Sequence, residues 1–371
     1  MSWLLAGLGF AALIILHELG HFAAAKAVGM RVERFALFFP PLLGRVRRGE
    51  TEYAIGSIPL GGYVKISGMT PHEDLPPEVA PRAYFRQPVW KRVVVIAAGP
   101  AVNLVLAFMI LWILFWSRGL DVLDLTVRQV QPRTPAAEVL QPGDRILSVD
   151  GRPGFAANLS EAEVRRRANA LRAAVASHRC AGTPADGCLA TDAARVAIER
   201  DGERRVIAVT PRYDATERRT LLGFQYGTRG VPIGPAEAAQ VSVTGMWNVT
   251  RLTVDNIVRL FYDGEARKEV SGVVGSYEAT RQSFELDTVQ AVRILALISL
   301  SLAIINLFPF LPLDGGHIFW AVAEKIRGKP IPFSVLERVS VVGFMLVAFL
   351  FVIGLTNDIG RITSGEGFGV R

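Results

Sequence analysis

The chain has 371 residues, of which 50% are hydrophobic and 20% charged, and its mean hydropathy is +0.31. It is too apolar for an ordinary soluble protein and too charged to lie wholly in lipid, so a mixed membrane-and-soluble architecture follows. The net charge of +7 comes with no groove-reading or base-stacking motif, which excludes nucleic acid as the expected partner. Basic residues in short loops beside membrane spans explain it better.

The first apolar stretch, about 3–28, is long enough to span a bilayer. It carries His17-Glu18-Leu19-Gly20-His21. On a helix, residues four apart share a face, so both imidazoles can bind one metal ion. Glu18 beside them can take a proton from a water that the metal activates. Ionisable groups inside a span are costly and read as functional by default. A secretory signal peptide is the competing reading, with Ala23-Ala24-Ala25 as a cleavage site. No Lys or Arg precedes Lys26, however, and three ionisable residues interrupt the apolar run.

Residues 31–69 read as a β-rich element, with strand-like runs at 51–55 and 63–66 punctuated by Pro59, Gly61 and Gly62. Residues 70–88, rich in Pro and Glu, read as irregular. A second span, 93–116, has no charge. The hydrophilic segment 121–212 reads as a compact α/β module. It has strands near 125–130 and 146–149, a helix at 161–177, and a hairpin turning at Asp201-Gly202 between 195–199 and 205–209. Residues 235–262 form an amphipathic pattern that fits packing on the soluble module or resting on a membrane surface. A third span, 294–313, and a fourth, 339–356, follow.

A metal needs a third protein ligand and an open position. The best candidate is Asp314, which ends the uncharged third span. Pro309 and Pro312 before it prevent a regular helix, and such backbone at membrane depth must line a cavity or be buried. Asn306 offers an amide to a substrate carbonyl. The bland readings are that Asp314 only ends the span, Asn306 bonds a neighbouring helix and His317 sits at the membrane surface. The His pair tips the balance toward a ligand, because its metal calls for a carboxylate.

Four features together resemble the bacterial site-2 proteases, intramembrane zinc metalloproteases. They are the His17–His21 motif, the run Ile58-Pro59-Leu60-Gly61-Gly62-Tyr63-Val64-Lys65-Ile66-Ser67-Gly68, the stretch from Trp90-Lys91-Arg92 through Ala98-Gly99-Pro100-Ala101-Val102-Asn103, and Asn306 through Gly316. Thr134-Pro135-Ala136-Ala137 and 141–151 resemble a bacterial-protease PDZ domain, in which 178–193 is an insertion.

The resemblance implies one Zn2+ on His17, His21 and Asp314, with Glu18 as general base and then acid. Asn306 and the strand Gly62, Tyr63, Val64, Lys65 and Ile66 would hold an unwound substrate by β-augmentation. It further implies regulated intramembrane proteolysis of single-pass membrane proteins, such as trimmed anti-sigma factors or remnant signal peptides. An upstream site-1-type protease would act first. The fold class expected is a polytopic α-helical membrane protein. It has about four transmembrane helices, a cytoplasmic-side β-hairpin element and one extracytoplasmic PDZ-like α/β domain.

The expected divisions are span one within 1–30, the β element and loop at 31–90, span two at 91–118, the PDZ-like domain at 121–212, a surface or gating helix region at 232–285, span three at 291–328 and span four at 333–360. Basic residues cluster between spans one and two, from Lys26 to Arg92, and between spans three and four, at Lys325, Arg327 and Lys329. The positive-inside rule then puts those loops in the cytoplasm. Both termini and the module lie outside a bacterial cytoplasmic membrane. Cys180 and Cys188 would face an oxidising space, and the turn-rich loop between them lets them form a disulfide.

Two rival classes compete with this reading. One is a proteolytically idle adaptor presenting a PDZ domain, which would be free to lose His17, Glu18, His21 and Asp314. The other is a transporter or channel, against which the lack of internal repeats counts.

Overall fold

The computed structural model describes residues 1–69, 73–157, 159–215, 217–260 and 262–364. The chain divides into two compact units, Met1–Phe115 with Pro235–Arg371, and Trp116–Gly234.

The first unit opens with α1 (Ser2–Ala27), whose uncharged run to Leu16 forms a continuous helix. Its buried residues Leu13, His17, Gly20, His21 and Ala25 recur at helical spacing, so the two histidines face the protein and not the surround. Strands β1 (Val32–Arg48) and β2 (Thr51–Ile66) pair antiparallel with several bulges. The middle of β1 is flanked twice by β2, with Ala36 opposite Tyr63 on one side and Ala54 on the other. The stretch 62–66 is therefore an edge of this sheet. The segment after it is irregular where described, with two short 3-10 turns at Ala80–Arg82 and Tyr84–Arg86. α2 (Val89–Arg118) follows, and one stripe of it is buried, including Arg92, Val95, Gly99, Asn103 and Ala107.

The second unit contains β3 (Leu120–Val130), β4 (Arg145–Val149), β5 (Arg152–Pro153), α3 (Glu161–Ser177), β6 (Ala194–Arg200), β7 (Glu203–Val209), β8 (Arg212–Asp214), β9 (Arg219–Leu221) and β10 (Phe224–Val231). Its main sheet has the order β10-β3-β4-β6-β7, with β5 on β4. Ser160 caps α3 by accepting from the Glu163 amide. Val164, Ala168, Leu171 and Val175 of α3 pack on Leu125, Ile146, Val196 and Ile198 of the sheet. The module is longer than 121–212. β10 pairs with β3 from Phe224↔Val130 to Val231↔Leu120, so the unit closes only near Gly234. Cys180 and Cys188 are disulfide-bonded, with Cα atoms 6.1 Å apart.

The chain then returns to the helical unit as α4 (Pro235–Arg259), α5 (Gly264–Glu269), α6 (Val273–Leu286), α7 (Thr288–Asn306), α8 (Asp314–Arg327) and α9 (Phe333–Ser364). Met246 and Val249 of α4 pack against Ala107, Leu300 and Ile304, so this helix belongs with the bundle. Its other face exposes Val243, Trp247, Leu252 and Val258. α6 has no cap of its own. Asp358 of α9, fully buried, supplies one by accepting from the Gly272 and Gly275 amides at 3.0 and 2.7 Å.

α1, α2, α7 and α9 are each long and apolar enough to cross a membrane. The division expected at 291–328 holds two helices rather than one. α7 stops at Asn306, the segment holding Pro309 and Pro312 is non-helical, and α8 starts at Asp314. The fourth helix runs well past 339–356 at both ends.

Candidate metal centre

His17 and His21 lie one turn apart on the buried face of α1, each 7% exposed. Asp314 opens α8. The two histidine Nε2 atoms are 3.3 Å apart. Asp314 Oδ2 is 3.4 Å from Nε2 of His17 and 3.3 Å from Nε2 of His21. The three atoms form a nearly equilateral triangle. Ligands held about 2.0–2.1 Å from a tetrahedral zinc stand about 3.3–3.4 Å from one another. The triangle thus has the dimensions of one face of that tetrahedron. Asp314 Oδ2 is also buried with no hydrogen-bond partner among the described residues, as suits an oxygen that ligates a cation. Among the described residues, this is the one cluster of three His, Cys, Asp or Glu side chains that could hold a metal. The donor set and its spacing fit zinc.

Glycines make the assembly possible. A Cβ at Gly20 would lie 2.5 Å from the Ala98 carbonyl oxygen, and one at Gly99 would collide with His21 Nε2. α1 and α2 therefore approach backbone to backbone, in the manner of small residues between membrane helices. Asp314 is delivered in the same way. A Cβ at Gly315 would strike the Leu307 carbonyl, and one at Gly316 would strike the Leu311 amide. The non-helical segment consequently folds directly onto the first turn of α8.

Glu18 is half-buried on the neighbouring face of α1. It meets β2 at Gly62, where an added Cβ would lie 2.7 Å from Glu18 Cγ. The edge stretch 62–66 thus begins on the Glu18 side chain. Its side chains are already engaged. Tyr63 stacks on Phe39 and its hydroxyl accepts from Arg34, Lys65 pairs with Glu33 at 2.7 Å, and Ile66 is in the core. What remains open is the outer main-chain edge, which pairs with no strand among the described residues. Asn306 is the last residue of α7, half-buried, and its amide has no hydrogen-bond partner among the described residues.

Three features of α2 have roles that the sequence does not disclose. The Val95 carbonyl accepts from His21 Nδ1 at 2.9 Å. The Asn103 amide lies 3.2 Å from His17 Nδ1. Arg92, which reads as a loop charge in the sequence, is instead 4% exposed and makes a two-pronged pair with Glu324 of α8 at 2.7 and 3.1 Å. α2 therefore braces both histidines and the helix that carries Asp314. The signal was present only as a helical stripe of 92, 95, 99 and 103 in an apolar run.

A His-Glu-x-x-His helix, a distant carboxylate completing a zinc-sized triangle and four membrane-length helices define a membrane metallopeptidase. The model of Peptidase family M50 matches residues 5–350, which include both halves of the site. The chain belongs to this family, that of the site-2 proteases, and zinc is its cofactor. It is similar, at 31% identity, to a protein of Nostoc sp. that bears the provisional name zinc metalloprotease, over 98% of this chain and 97% of that one. Proteins with the same provisional name occur in Brucella suis, at 30% identity over 93% and 92%, and in Clostridium acetobutylicum, at 28% over 96% of each.

Proposed function

We propose that this metalloprotease cuts single-pass membrane proteins within or near their membrane segment, in regulated intramembrane proteolysis. His17, His21 and Asp314 hold the zinc ion. When bound, zinc polarises the scissile carbonyl and makes water acidic enough to deprotonate near neutral pH. Glu18 takes that water's proton and later delivers it to the leaving amine. The observation that carries this reading is the contact between Glu18 and Gly62. A substrate strand on the free edge of 62–66 would run past the base itself. A membrane helix keeps its carbonyls bonded internally, so it must open before cleavage, and the edge supplies replacement hydrogen bonds. Asn306, with an uncommitted amide beside the α8 turn, steadies the substrate main chain.

The basic loops favour an active site toward the cytoplasm of a bacterial inner membrane, with the second unit and both termini outside. That unit is read as a PDZ-like domain and the substrates as trimmed anti-sigma factors or remnant signal peptides, released to this enzyme by an upstream protease.

Glu18→Gln tests the assignment, because it removes the base and leaves the ligands. The purified variant should bind one zinc ion per chain like the wild type and lose cleavage by about 10²- to 10⁴-fold. Its membranes should accumulate trimmed single-pass fragments in a comparative proteome. Near-normal proteolysis by this variant would overturn the mechanism.

A further inference from the structure

We propose that Asn103 is a positioning residue of the metal centre, holding the His17 imidazole in the tautomer and orientation that leave Nε2 free for the ion. This rests on the reading of His17, His21 and Asp314 as the ligands. Val95, Gly99 and Asn103 follow one another at turn-length spacing on the buried face of α2. Both histidines are braced from that face, each at Nδ1. For His21 the brace is the Val95 carbonyl, 2.9 Å away. A carbonyl only accepts, so Nδ1 carries the proton and Nε2 keeps its lone pair for the metal.

For His17 the brace is a side chain. Asn103 is fully buried, and its amide lies 3.2 Å from His17 Nδ1. Its backbone carbonyl accepts from the Ser299 hydroxyl at 3.0 Å, which ties this point of α2 to α7. The amide nitrogen faces Nδ1, and Oδ1 is buried with no partner among the described residues. The two ends of an asparagine amide exchange by a half-turn. With nitrogen toward His17, the amide donates to Nδ1, and the ring proton sits on Nε2 opposite Asp314. With oxygen toward His17, the amide accepts from Nδ1–H, which is the state that metal on Nε2 requires. Asn103 can therefore serve His17 in either tautomer, whereas a backbone carbonyl serves only the one with its proton on Nδ1. Outer partners of this kind fix the tautomer, and losing one costs about 10–100-fold in metal affinity.

The test is zinc retention by the full-length protein against a graded chelator, for wild type, Asn103→Leu, Asn103→Asp and His17→Ala. Asn103→Leu keeps the bulk and cannot bond Nδ1; it should lose zinc at about 10–100-fold lower chelator strength. Asn103→Asp can only accept, which matches Nδ1–H, and should hold zinc as tightly as wild type or tighter. Melting of the zinc-free proteins should be alike, because the Ser299 bond uses the backbone. Wild-type retention by Asn103→Leu, or equal loss in the Leu and Asp variants, would overturn the proposal. Full zinc retention by His17→Ala would overturn the ligand reading beneath it.

Discussion

At the residue scale, the glycines around the site separate metal binding from base placement. A methyl at Gly99 collides with His21 Nε2, whereas a methyl at Gly62 meets Glu18 Cγ at 2.7 Å and then Ala36 and Ile14, none of them a ligand. Gly99→Ala should therefore strip zinc and activity together. Gly62→Ala should keep zinc and lose cleavage by about 10²-fold, the scale of an ångström-sized misplacement of a reacting group. Zinc content measured beside the rate of cleavage distinguishes the two, and equal zinc loss in both variants would contradict the assignment. His17, Glu18, His21 and Asp314 were legible in the sequence because ionisable side chains stand out in apolar runs. Gly99 and Asn103 were not, although both lie in a stretch that resembles the family. A glycine's need for space and an amide's partner depend on how closely α1 and α2 approach, and His17 is 86 positions from Asn103.

At the scale of elements, the loop that carries the disulfide has a second clamp. His178, 8% exposed, lies between two carboxylates, with Nε2 2.9 Å from Asp150 and Nδ1 2.7 Å from Asp192. Burial opposes its charge, but the hydrogen bond to Asp150 and the charge of Asp192 outweigh it and raise its pKa above the usual 6.5. A raised folded-state value means that the protonated clamp contributes fully below about pH 6.5, its ordinary range. The contribution is lost as pH rises through the higher folded value. Hydrogen exchange of residues 178–192 should thus quicken from pH 6 to pH 9, beyond the intrinsic base catalysis of exchange, and His178→Gln should remove that extra dependence. An unchanged profile in the variant would show that the clamp is not the cause. The elements themselves were unevenly legible. The break between α7 and α8 follows from Pro309 and Pro312, and the helical run at 161–177 is α3. β10 was missed because Gly227 and Gly230 interrupt its alternation and its partner, β3, lies about a hundred residues earlier.

At the scale of the whole molecule, chain connectivity makes the second unit an insertion between two helices of the first. Leu120 pairs with Val231 across β3 and β10, so the unit's entry and exit strands lie side by side. On the helical side, Trp112 Nε1 of α2 donates to the Pro235 carbonyl at the start of α4, at 2.8 Å. The two ends left by removing 120–231 are therefore close enough for a short Gly-Ser linker. Removing only 121–212 would leave β10 without β3, so it is the wrong cut. Two roles for the unit lead to opposite outcomes. As a size filter, it excludes a bulky ectodomain by collision and discriminates without binding the right substrate more tightly. As a receptor, it would use the groove beside β3, lined by Leu125, Thr126, Phe155 and Val164 with Arg145 and Arg229. β3 meets β4 at Thr126↔Arg145, beside this groove. The catalytic groups and the free edge at 62–66 all belong to the helical unit, so the filter role predicts that excision spares the cut. The excised protein, assayed in vesicles, should keep its zinc, cleave a trimmed substrate at close to the wild-type rate, and newly cleave the untrimmed one. Loss of cleavage of both substrates with zinc still bound would assign the groove an essential receptor role instead.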